Sequence, residues 1–139
     1  MTRKTFLTIA ATIPILIGAF ALLAPSVLLE TAKGAAPSDA AEVMARTVGV
    51  LLLAIGALTF AVRGHESSPT LRAILIADLA IQLALLPIDP IAYASGVFHG
   101  LGSFVPNTIV HLALAYGLVH YLVRMDRSPS GGAPVSALR

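Results

Sequence analysis

Residues 72–90 read RAILIADLAIQLALLPIDP. The run is apolar and close to the roughly 20 residues that a helix needs to cross the hydrocarbon of a bilayer. Asp78 lies inside it, with Gln82 four residues on. An ionisable group at membrane depth is costly, so it calls for a partner or a function. Whether this stretch is a soluble core helix or a membrane span decides the fold, and the rest of the chain answers that question.

Hydrophobic residues make up 57% of the 139-residue chain and charged residues only 12%. A soluble domain carries about a quarter charged and under half apolar residues, so this chain needs lipid as its solvent. Three further runs match the first in length. The expected helices are residues 5–24, 40–62, 69–86 and 106–124 of an all-α, antiparallel four-helix transmembrane domain spanning 1–127. Asp39 followed by Glu42 resembles a capping box at the second helix. Ser68 before Pro69 and the early Pro106 mark the third and fourth starts. Pro87 and Pro90 should end the third helix, and Pro14 should kink the first without breaking it. Thr2-Arg3-Lys4 before an apolar run also suits a signal peptide, with Ala19-Phe20-Ala21 as a weak cleavage site. The length of the run favours a retained helix.

Arg3, Lys4, Arg63, Arg72, Arg124, Arg127 and Arg139 fall on one side of this arrangement, and only Lys33 and Arg46 on the other. That bias predicts cytoplasmic N- and C-termini in the inner membrane of a cell. Residues 128–139, SPSGGAPVSALR, have the composition of a disordered tail. The connection 87–105 carries no Lys or Arg but holds Tyr93, Phe98 and Phe104. It is expected to lie in the interface or fold back over the bundle. Ala73, Ala77, Ala80 and Ala84 form a small-residue stripe, and Ala45, Gly49 and Gly56 form another, with Ala113 and Gly117 as a shorter pair. Tight packing inside the bundle is the expected use, with a dimer seam as the alternative if a stripe faces outward.

Several chemistries are excluded or disfavoured. The chain has no cysteine, so it holds no thiolate site and no disulfide. Nine scattered Lys and Arg make no nucleic-acid stripe. His111 and His120 are nine residues apart, on opposite faces of a helix, and His65 and His99 lie in connections, which argues against a metal or haem. No nucleophile, phosphate loop or paired-carboxylate site is visible, and no cofactor is implied. Ser and Thr near helix ends read as caps.

The remaining polar residues sort by depth. Asp78, Gln82, Tyr116 and His120 form a candidate ligand-binding layer, with Asp78 expected to face the interior beside His120 or Tyr116. Arg46, Asp89, Asn107 and His111 form an outer layer, with Arg46 expected to pair with Asp89 or Glu42. Asp78 can be structural glue or a working group, and its position alone does not choose.

The stretch GAFALLAPSVLL, residues 18–29, and ARTVGVLLLAIGAL, residues 45–58, resemble the DoxX-like group of small four-helix membrane proteins. The shared pattern falls on Gly18, Pro25, Arg46, Gly49 and Gly56. This resemblance implies a four-helix bundle with both ends cytoplasmic. Some members of the group are named as small subunits of quinone-linked membrane oxidoreductases. The expectation is a non-catalytic accessory or scaffold subunit of a larger membrane complex, or a homo-oligomer. The alternatives are a protein binding a quinone, sterol or lipid between its helices, and a small oligomeric transporter with Asp78 carrying a proton.

Overall fold

Hydroxyl side chains start the first three long helices. Thr2 accepts the Thr5 N–H at 3.1 Å, Ser38 the Ala41 N–H at 3.3 Å, and Ser68 the Leu71 N–H at 3.1 Å. Each satisfies one of the amide donors that a helix start leaves free. The computed structural model describes residues 1–127, and its regular elements are all helical. Helix α1 spans Arg3–Leu23 and continues through Pro14. A short α2, Pro25–Val27, passes into a π-helical turn at Leu28–Ala32. Helices α3, Asp39–Val62, and α4, Pro69–Leu85, follow, then α5, Ile88–Ala94, and α6, Val105–Arg127. The cap of α3 is Ser38, one residue before the expected Asp39. The tail expected at 128–139 lies outside the described residues.

The third helix ends where expected, since α4 stops at Leu85 just before Pro87, but a further short helix follows at once. Pro87 becomes the cap of α5 and Pro90 lies in its first turn, where a missing N–H leaves no bond unmade. The apolar stretch therefore runs from Pro69 to Ala94. With Arg3–Leu23, Asp39–Val62 and Leu101–Asp126, it makes four helical stretches among the described residues long and apolar enough to cross a membrane.

Helix α1 packs on α3 backbone to backbone. A Cβ added to Gly18 would stand 2.7 Å from the Gly49 carbonyl oxygen, and one on Gly56 would stand 2.9 Å from that of Ala11. Any side chain at these glycines pushes the helices apart. Helix α4 meets α6 through Leu71, Leu75, Leu114, Leu118 and Leu122, and Phe6, Leu7 and Val62 join the same buried cluster. Gly117 receives the edge of the Phe6 ring, which also lies 5.2 Å from Tyr121. This core sits toward the end where α1 begins and α6 finishes.

At the opposite end, residues 87–105 fold back onto the α2–α3 connection. The Tyr93 and Phe104 rings are 4.8 Å apart, and the Lys33 ammonium stands 5.1 Å from the Phe98 ring. A Cβ added to Gly34, which adopts φ 59°, would stand 2.9 Å from the His99 carbonyl oxygen.

The α4 alanines overturn the expectation of packing inside the bundle. Ala73, Ala77, Ala80 and Ala84 are all exposed. Leu71, Leu75 and Asp78 occupy the buried face, and at 100° per residue the alanine stripe falls opposite them. Ala113 is exposed too, whereas Gly49 and Gly56 are buried as the packing reading requires.

Candidate functional site: two polar assemblies between the helices

Asp78 is inside the bundle, 7% exposed. Its expected neighbours are not its hydrogen-bond partner. The Thr59 hydroxyl donates to Asp78 Oδ2 at 2.8 Å, and Thr59 is itself 3% exposed. The reason lies in the faces of α6. Leu114, Leu118 and Tyr121 turn inward, so Tyr116, roughly opposite them on the wheel, is 77% exposed. His120 stacks on Tyr116 with ring centroids 6.5 Å apart and meets Tyr121 edge-on at 5.1 Å.

Thr59 is the residue that a sequence reading misses. Thr8, Thr12 and Thr47 each return their hydroxyl to the carbonyl four residues back, as isolated helix threonines do. Thr59 instead points to the neighbouring helix. Its position near the end of α3 suggests capping, and only the contact with α4 reveals the different use.

The second assembly runs through five side chains. Lys33 donates to Asp89 Oδ2 at 2.5 Å, and the Asn107 amide donates to the same oxygen at 2.7 Å. Asn107 also lies 3.2 Å from His111 Nε2, and His111 Nδ1 lies 2.6 Å from Gln82 Oε1. The network assigns the tautomer. The amide oxygen of Gln82 can only accept, so His111 carries its proton on Nδ1 and offers Nε2 as acceptor to Asn107. Every donor then points one way or converges on Asp89, which is 7% exposed.

This arrangement redistributes the expected layers. Gln82 leaves the layer of Asp78 and joins His111, because α6 presents His111 on the same side as Leu114 and Leu118. Asp89, Asn107 and His111 do come together, as one outer group. Arg46 does not join them: it reaches Glu42 at 3.5 Å across one helical turn, while Lys33 occupies Asp89. Lys33 appears in the sequence only as a charge in a connection. Its signal was the uncompensated Asp89 at the far end of the third apolar stretch.

Chemically, both assemblies act as cross-links. Glycines hold α1 to α3 and leucines hold α4 to α6. Thr59–Asp78 ties α3 to α4, and Lys33 ties the α2–α3 connection to α5 and, through Asn107, to α6. Among the described residues no three His, Asp or Glu side chains are grouped to hold a metal ion. Thr108 Oγ1 is buried without a hydrogen-bond partner among them. Compared with family models, curated proteins and solved structures, the chain has no match.

Proposed function

We propose that this chain is a multi-pass inner-membrane protein of the DoxX-like kind, serving as a non-catalytic accessory or scaffold subunit of a larger membrane complex. The carrying observation is the outward face of α4, where Ala73, Ala77, Ala80 and Ala84 are all exposed. Small residues let a second helix approach closely in lipid, where van der Waals contact drives association. The buried polar side chains support the same reading, because most are engaged with one another across helix pairs. An antiparallel bundle agrees with the order of contacts, in which Gly18 meets Gly49 while Ala11 meets Gly56. Cytoplasmic termini rest on the Lys and Arg distribution.

Extraction in mild detergent followed by native mass spectrometry tests the proposal. The protein should leave the membrane in fixed stoichiometry with a larger membrane protein. Ala77→Leu should release that partner while leaving the helical content unchanged. Recovery as a monomer, or only as a homo-oligomer, would reject the accessory role.

A second reading has its own observation. Tyr116 and His120 stack on an outward face of α6, and neither makes a hydrogen bond among the described residues. Such a pair suits the polar head of a quinone or sterol lying against the bundle. Here the extracted protein would carry that lipid without a protein partner, and Tyr116→Phe would strip it.

A further inference from the structure

Where α1 starts and α6 ends, an open depression of about 270 Å³ is walled by Thr2, Arg3, Ser67, Tyr121 and Arg124, among others. Lys33, Arg46 and Arg72 each lie within salt-bridge distance of a carboxylate: Asp89, Glu42 and Asp126 respectively. Arg3 is half-buried and has no carboxylate partner among the described residues. Its guanidinium donates instead to the Ser67 hydroxyl at 2.8 Å and to the His65 carbonyl. Both acceptors are neutral, so they aim the group without cancelling its charge.

A guanidinium has five N–H donors in a rigid fork. Two are used on Ser67 and His65, which leaves three with directions set by those bonds. Tyr121 is fixed as a wall, since its hydroxyl donates to the Met1 carbonyl at 2.8 Å and its ring packs on Phe6. The start of the 21-residue α1 adds the positive end of a helix dipole. Glu66 is next to Ser67 in sequence but does not line the depression. The depression lies at the edge of the apolar spans, the level at which phospholipid phosphates sit.

We propose that this depression binds the phosphate of an anionic phospholipid headgroup, held by Arg3, with Ser67 as the residue that aims it. Forked arginine donors match the oxygens of a phosphate, and the pairing is charge-assisted. The proposal requires only that the four apolar helices cross a membrane; it does not depend on the accessory role.

The test uses the full chain in a neutral detergent, offered phosphatidylglycerol or phosphatidylcholine and read by native mass spectrometry. The wild type should retain phosphatidylglycerol over phosphatidylcholine by about tenfold, and Arg3→Gln should lose that preference, as expected for one charge-assisted contact. Lys4→Gln removes the same charge one residue away, outside the depression, and should change retention by less than about twofold. Circular dichroism reports whether each variant is folded. If Arg3→Gln is not, Ser67→Ala takes its place, and its loss of the hydroxyl that aims Arg3 should lower the preference in the same direction. Free phosphate offers the same oxyanion, so excess inorganic phosphate should leave the lipid bound. Displacement by phosphate would reassign the site to the free ion and overturn the lipid assignment. Equal retention of the two lipids by the wild type, or equal losses from Arg3→Gln and Lys4→Gln, would overturn the site altogether.

Discussion

Thr59–Asp78 and the chain from Lys33 to Gln82 both place a carboxylate inside an apolar bundle, yet they handle it differently. Among the described residues Asp78 has one hydrogen-bonding partner, a neutral hydroxyl on the next helix. Asp89 has two donors, one of them an ammonium, and its neighbours continue the bonding through Asn107 and His111 to Gln82. The first is a clip with no redundancy. The second is a charge-neutral network in which each inner member has a partner on both sides. The difference teaches where the bundle tolerates loss: a redundant network weakens by steps, while a single clip is either made or absent.

The comparison can be broken most severely at Asp89. Asp89→Leu leaves the Lys33 ammonium half-buried without its counter-charge and removes one acceptor of Asn107. It should cost about 3 kcal/mol, the lower end for breaking a buried pair by deleting one partner. Unfolding in mixed detergent micelles measures this, and a loss no larger than that of His111→Phe would show that Lys33 simply turns to water. Thr59→Val keeps the shape and leaves Asp78 without its donor. The expected cost is about 1.5 kcal/mol, near the upper end for polar contacts in membrane bundles. Asp78→Asn sharpens the point, because its amide oxygen can still accept from Thr59 and folding should survive. If that variant folds but loses a growth or ligand-binding phenotype, Asp78 is a working group as well as a clip. The smallest effect belongs to His111→Phe, which cuts the network in its middle but leaves Lys33, Asp89 and Asn107 joined. About 0.6 kcal/mol is expected, the average for such contacts in a membrane bundle. A larger value would mean that the five residues act as one unit.

Legibility followed the range of the forces involved. The four helices, the cap at Ser68 and the kinship of Asp89 with Asn107 and His111 rest on hydrophobic length, local hydrogen bonds and depth along a helix. Each of these is visible within one segment. The partner of Asp78 was not visible, because Thr59 and Tyr116 are equally plausible until the rotation of α3 and α6 is known. Residues 87–105 were readable as apolar and aromatic, but not as a helix that uses Pro87 and Pro90 at its start. Proline only forbids a helix interior, and whether a new helix begins there depends on what it can pack against.

By itself, then, the sequence determined that the chain is more apolar than a soluble domain, that four helices are long and apolar enough to cross a membrane, and which residues lie near which end. Composition and the 1.5 Å rise per residue suffice for that. Tertiary structure alone decided which way each helix turns. It set Asp78 on Thr59, gave Lys33 to Asp89, left Tyr116 and the alanines of α4 facing outward, and gave Arg3 neutral partners among the described residues. Rotation about a helix axis is fixed by competition among whole faces. On α4 the leucines and Asp78 took the interior, because leucines fill the space against α6 and a buried carboxyl finds a donor there. Alanines have too little side chain to do either.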